Sequence, residues 1–393
     1  MNLQRAKSQL FKAAVIIFLV ALSTSNLLWA EDADNKITIG ETITIKSEVL
    51  DEERQMLVYL PAGYEGASAR YPVLYLLDGG YHFHHVTGIV QFLSSQGLMP
   101  QTIVVAIQNV DRNRDFLPTY VEKIPTSGGA EKFLAFISDE LIPFIDNNFR
   151  TEPYRIIVGH SFGGTFTTYT FLEKPDTFDS YIAISPYLHW DEQLLVTQAE
   201  IALKSSYSKN KCFYMTLGDE PPYIPAIEKF ISLIDTLAPE KLDFTYVHMI
   251  EETHGSIPHL SIYHGLEKLY DGWVLPKEKY EEGLTAIDNH YQYISEKYSY
   301  DIQTPEYVIN YLGYNYLNKK EFEKAIEVFQ ENIKRFPKSA NVYDSLGEAY
   351  EKNEQFELAK ENYAKACELV EEDDPNLKVF KENLKRMKQT LED

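Results

Sequence analysis

The sequence predicts an α/β fold, a three-layer sandwich on a mostly parallel sheet, followed by an all-α domain, and three observations carry that prediction. Over residues 36–275 short β-rich runs alternate with amphipathic stretches, the pattern of a sheet covered by helices on both faces. A glycine-flanked serine, Gly159-His160-Ser161-Phe162-Gly163-Gly164, stands between an apolar run at 156–158 and a helix-like segment at 165–172. Near residue 304 the composition shifts, and two segments related by 34 residues follow.

Residues 1–30 read as an export signal. Arg5, Lys7 and Lys12 precede an apolar run at 13–22, and Leu28-Trp29-Ala30 offers a cleavage end before Glu31. The run is about half the roughly 20 residues that a spanning helix needs. The mature chain is therefore expected to be periplasmic or secreted, without stable membrane insertion. Removing the segment makes a chain of formal charge −22 three units more negative. Such a field excludes nucleic acid and anionic membrane surfaces as partners, and it disfavours polyanionic substrates without excluding them. Cys212 and Cys367 fall in different domains, so no disulfide is expected, and neither has a partner at metal-site spacing.

In the domain spanning 31–275, strands are expected at 37–45, 55–60, 73–77, 103–107, 155–158, 180–184, 212–217 and 243–249. The first two follow one another without a helix, which predicts an antiparallel start to the sheet. Helices are expected at 85–94, 131–147, 225–237 and 257–269. A linker at 276–303 holds a single bridging helix over 277–300.

In the last domain, 304–393, Leu312-Gly313 recurs at Leu346-Gly347, Tyr316 at Tyr350, Phe322 at Phe356, Ala325 at Ala359 and Phe329 at Tyr363. Period and residue types resemble the tetratricopeptide repeat, in which small residues let paired helices approach and aromatics fill the layer between them. Pro337 closes the first unit, and a capping helix is expected over 376–391. Two units are fewer than the roughly three that stand alone, so packing against the bridging helix or the hydrolase domain is expected. The repeats offer a surface for a protein partner or for self-association.

The chemistry centres on Ser161. Between strand and helix, a G-x-S-x-G turn forces its serine into a strained conformation that lifts the hydroxyl above the sheet edge, the nucleophile elbow of the α/β-hydrolase fold. A serine hydroxyl needs a base, and His254, in Glu251-Glu252-Thr253-His254-Gly255-Ser256 after the last strand, fits the chain order. His259 and His264 compete, but both fall on the following helix. The acid belongs between Ser161 and His254. Gly218-Asp219-Glu220-Pro221 supplies Glu220 as first choice and Asp219 as second, with Glu228 more remote. Backbone amides of Phe162 and Gly80, the latter in Leu77-Asp78-Gly79-Gly80-Tyr81, are the expected oxyanion hole. The order of His82, His84 and His85 does not put three ligands on one helical face, so they read as pocket wall or helix start rather than a metal site.

Together, Val73-Leu74-Tyr75-Leu76-Leu77-Asp78-Gly79, the elbow and Glu252-Thr253-His254-Gly255-Ser256 resemble the esterase family of α/β-hydrolases that includes enterochelin and other siderophore esterases, feruloyl esterases and mycolyltransferases. The similarity is greatest to the branch with trailing tetratricopeptide repeats. The loop Arg112-Asn113-Arg114-Asp115-Phe116-Leu117-Pro118-Thr119 also resembles one that these proteins place near the site, although a surface salt-bridge loop would read the same. The resemblance implies hydrolysis of a small-molecule or glycan-linked ester without metal or organic cofactor, and it leaves the acid's position and the substrate open. Two other readings share these residues: a vestigial hydrolase acting through its repeats, and an acyltransferase with the same triad.

Overall fold

The computed structural model describes residues 37–393. The export signal expected at 1–30 lies outside the described residues. Eight strands form one sheet in the order β1-β2-β4-β3-β5-β6-β7-β8. They are β1 (Glu41–Ser47), β2 (Glu52–Tyr59), β3 (Tyr71–Leu76), β4 (Ile103–Ile107), β5 (Thr151–His160), β6 (Ser180–Ile184), β7 (Lys211–Leu217) and β8 (Leu242–His248). β2 pairs antiparallel with both β1 and β4, and every later pairing is parallel. Strands β3, β4 and β6 are buried along their whole length, which is why they read as unbroken apolar runs.

Helices cover both faces. Their order is α1 (Gly79–Ser95), α2 (Arg112–Phe116), the composite α3 (Ala130–Ala135, Phe136–Leu141 and Ile142–Asn148), α4 (Phe162–Glu173), α5 (Trp190–Ala202), α6 (Ile224–Leu237) and α7 (Ile257–Leu269). One face buries Phe133, Phe166, Phe171 and Phe213 under α3, α4 and α6, and the other buries Val86, Val90, Ile262 and Leu266 of α1 and α7. The mostly parallel sandwich is thus the predicted one.

Four local expectations need correction. Helix α1 begins at Gly79, not residue 85, because Asp78 turns the chain in a left-handed conformation (φ 54°, ψ 42°) and brings the glycines into the first helical turn. The helix expected at 131–147 contains a π-helical segment, Phe136–Leu141, just ahead of Pro143, which has no N–H to continue an α ladder. Helix α5 went unpredicted; Asp191, Glu192 and Gln193 in its first turn all have positive φ, a local geometry that hydrophobic periodicity does not encode. The bridging helix is broken at Gly283 (φ 96°) into α8 (Glu278–Glu282) and α9 (Leu284–Tyr298).

The remaining helices are α10 (Glu306–Asn318), α11 (Phe322–Arg335), α12 (Ala340–Lys352), α13 (Phe356–Leu369) and α14 (Leu377–Glu392). They stack as two helix pairs and a cap. A Cβ at Gly347 would lie 2.8 Å from the Tyr363 ring, and one at Gly313 would collide with Phe329, so both pairs close through the same glycine-to-aromatic contact. Helix α9 serves two cores: Ile294 and Tyr298 join the sheet's second face, while Ile287 packs with Val308, Ile309 and Leu312 of α10. Asp288 on α9 also receives both guanidinium nitrogens of Arg335. Residues 40–393 form one compact unit. Among the described residues no helix is long and apolar enough to cross a membrane.

Candidate active site

Strand β5 ends at His160 and α4 starts at Phe162, leaving Ser161 at φ 59°, ψ −121°, a region costly for any side-chain-bearing residue. Two backbone bonds hold it there: its N–H donates to the Ile184 carbonyl at the end of β6 (2.9 Å), and its carbonyl accepts from the Thr165 N–H (2.9 Å). A Cβ at Gly159 would run into the Gly163 carbonyl, and one at Gly164 would sit 2.8 Å from the Ile184 oxygen. The turn can therefore be this tight only with glycine at those positions.

His254 reaches the elbow from the loop after β8. Its ring centroid lies 4.5 Å from that of His160, the residue before Ser161. Its Nδ1 is 2.5 Å from Glu220 Oε1. The second Glu220 oxygen accepts from the Ser185 hydroxyl and, at 3.2 Å, from the Gly218 N–H. Burial alone would raise the Glu220 carboxyl, but hydrogen bonds from His254, Ser185 and Gly218 outweigh it and hold the group below the ordinary carboxylate value. An ionised Glu220 makes Nδ1 the protonated nitrogen and leaves Nε2 free to accept a proton. No hydrogen bond joins the Ser161 hydroxyl to His254 among the described residues; such contacts commonly close only with substrate bound.

The other sequence candidates sit elsewhere. Asp219 is exposed and attaches to the His254 loop through its backbone N–H, which donates to Glu252 O (2.8 Å). Glu228 is exposed on α6. His264 pairs with Glu267 (2.8 Å), and His259 packs at a tilt against His85 (centroids 5.4 Å apart); His259 and His264 are both on α7.

The expected oxyanion donors lie on two loops, the one after β3 and the elbow itself. Asp78 O accepts from the N–H groups of Tyr81 and His82, whereas the amides of Gly80 and Phe162, each in the first turn of its helix, find no partner among the described residues. A Cβ at Gly163 would lie 3.2 Å from the Asp78 carboxylate, so the two loops touch. Arg112, at the start of the 112–119 loop, ties them together. Its Nε is 2.7 Å and one terminal nitrogen 3.0 Å from the two Asp78 oxygens, and that nitrogen also donates to the His160 carbonyl (3.1 Å). Asn109 adds a donor to Asp78 at 2.6 Å. Sequence reading singled out the loop but missed these two roles, since Asp78 and Arg112 are 34 positions apart.

A row of imidazoles runs away from His254 through His160 and His82 to His85, whose Nε2 lies 2.9 Å from His82 Nδ1. Burial, with the neighbouring His254 charge second, pushes His160 down to about 4; burial likewise brings His85 to about 4. These rings are neutral walls at pH 7. Among the described residues no group of three or more His, Cys, Asp or Glu side chains is placed to hold a metal. Beside the elbow, a cleft of about 500 Å³ is lined by Phe162, Tyr187, Trp190 and Tyr223, with Lys123 and Glu192 also on its wall.

Residues 47–217 match the family described as "Putative esterase", and residues 340–372 match the tetratricopeptide repeat. The chain is 35% identical over 153 residues to the ferri-bacillibactin esterase BesA of Bacillus subtilis (strain 168), a match covering 34% of this chain and 53% of that relative, so about half of its length. Among solved structures it resembles an IroE-like serine hydrolase from Shewanella oneidensis (26% identity, TM-score 0.67, 76% of this chain and 99% of that one). It also shares the fold of a protein described as uncharacterised from Capnocytophaga ochracea DSM 7271 (18% identity, TM-score 0.64, 89% of this chain and 100% of that one).

Proposed function

Because the chain carries an esterase-family domain over residues 47–217 and a tetratricopeptide repeat behind it, we propose that it is an exported serine carboxylic ester hydrolase working through an acyl-enzyme on Ser161. The observation that carries this reading is the 2.5 Å contact between His254 Nδ1 and Glu220 Oε1 beside the strained elbow. In the mechanism, Ser161 Oγ attacks the ester carbonyl while His254 Nε2 takes its proton, and Glu220 holds the imidazolium without accepting the proton. The amides of Gly80 and Phe162 receive the oxyanion, a contribution that grows as charge develops on the oxygen. His254 then protonates the departing alcohol. Water, deprotonated by the same nitrogen, attacks the acyl carbon, and collapse of the second intermediate frees the carboxylic acid and restores Ser161.

For the substrate we propose an ester that carries an aryl group, on two supports. The matched relative is named as a ferri-bacillibactin esterase, and the cleft beside the elbow is walled by aromatic rings against which an aryl group can stack. The export signal read at 1–30 supports the exported location. The test is a panel of short and long acyl esters, feruloyl and acetyl-sugar esters and a ferric catecholate lactone, each run with Ser161→Ala. Turnover of at least one ester that falls by several orders of magnitude in the variant is expected. Hydrolysis unchanged by Ser161→Ala would overturn the assignment.

A further inference from the structure

We infer that Ser185 is a positioning residue for the triad: its buried hydroxyl fixes the Glu220 carboxylate so that the other carboxylate oxygen faces His254. The inference rests on the serine-hydrolase reading above and deepens it. Ser185 follows the last residue of β6 and is 0% exposed. Its N–H donates to Thr216 O on β7 (2.8 Å), and its hydroxyl donates to Glu220 Oε2. The preceding residue, Ile184, accepts the N–H of Ser161. Two consecutive residues at the tip of β6 therefore tether the nucleophile's backbone and the acid's side chain.

The backbone argues that the hydroxyl is what matters. Ser185 has φ 42°, a left-handed conformation that costs a non-glycine residue, and it precedes Pro186, which favours an extended neighbour. Glycine would occupy this turn without that cost. A serine kept in a strained, fully buried position is explained if its side chain does something glycine cannot, and the one acceptor it meets is Glu220. A carboxylate is a rotor with two equivalent oxygens. With Oε2 held by Ser185 and the Gly218 N–H, rotation is blocked and Oε1 stays on His254. The rings packed against His254 are the neutral His160 from β5 and Tyr223 at 6.0 Å, neither of which can substitute for that restraint.

The test compares wild type, Ser185→Gly and Glu220→Gln, with Ser185→Cys as a second variant that keeps a weak donor should the glycine variant fold poorly. Two readouts are taken: kcat, KM and the pH profile of kcat/KM on the best ester, and the downfield NMR resonance of the His254 Nδ1 proton. Ser185→Gly is expected to lose roughly 10- to 100-fold in kcat with KM little changed. Its acid limb should move to lower pH in the same direction as in Glu220→Gln, and its Nδ1 proton should move upfield, with Ser185→Cys intermediate. Wild-type kcat, acid limb and proton resonance in a folded Ser185→Gly would overturn the inference, because a purely structural serine moves none of the three. Should the wild type hydrolyse no ester while the resonance still follows the substitutions, the ester reading fails and the positioning role stands.

Discussion

At Glu220 two adjacent carboxylates have opposite fates. Asp219 points to solvent, while Glu220 is 8% exposed and has both oxygens engaged. Glu220→Gln, which keeps shape but removes charge, is expected to lower kcat on the order of 10³-fold, and Asp219→Asn is expected to stay within about twofold; steady-state kinetics on one ester separates them. The pH dependence has a defined sign. His160 and His85 are pushed down to about 4, whereas the unfolded chain binds those protons near 6.5, so acid favours unfolding. The melting temperature should fall steadily from pH 6.5 toward 4. Glu220 adds to this at the acid end: its folded value is lowered, so its stabilisation is complete above the ordinary carboxylate value and is lost as pH drops through the folded one. A melting temperature flat across that range would contradict the burial of these rings. The tight strand-to-helix turn at Ser161 was legible in sequence because the glycines around it have a steric reason to be there. Which carboxylate meets His254 was not, since the choice depends on Ser185 and Gly218, whose roles come from β6 and β7 lying side by side.

Among the elements, those with one strong periodic signal were readable and those shaped by backbone exceptions were not. Strands β4 and β6 fall on the expected residues, because a strand buried on both faces has to be apolar throughout. The repeats were readable for a similar reason: Gly313 and Gly347 recur because Phe329 and Tyr363 occupy the space a Cβ would need. Gly283, by contrast, sits in an otherwise helical pattern and only its φ of 96° shows that it ends one helix and starts another. A prediction follows for the repeat layer. Gly347→Ala gains helix propensity but places a methyl against the buried Tyr363 ring, and overpacking of about 1–3 kcal/mol should outweigh the roughly 1 kcal/mol gained. Thermal denaturation should show a lower Tm while kcat of the folded enzyme is unchanged. A raised Tm would mean that the ring has room to move.

On the scale of the whole molecule, the sheet and the helical repeats are joined through α9, which contributes Ile294 and Tyr298 to one core and Ile287 to the other. Removing residues 306–393 would strip the cover from Ile287 and free Asp288 from Arg335. The shortened chain should therefore melt at a lower temperature than the full one, and undiminished thermal stability would show that the repeats do not brace the sheet domain. That the repeats pack against the bridging helix was expected from their number; that one helix serves both cores was not, because nothing in one helix's sequence states which of its faces meets which neighbour.

The central claim concerns a single oxygen. Incubating the protein with a fluorophosphonate and locating the adduct by peptide mass spectrometry tests it directly. The account predicts stoichiometric modification of Ser161, abolished in Ser161→Ala and strongly slowed in His254→Ala; a protein left unlabelled, or labelled at another residue with equal speed in both variants, would contradict it.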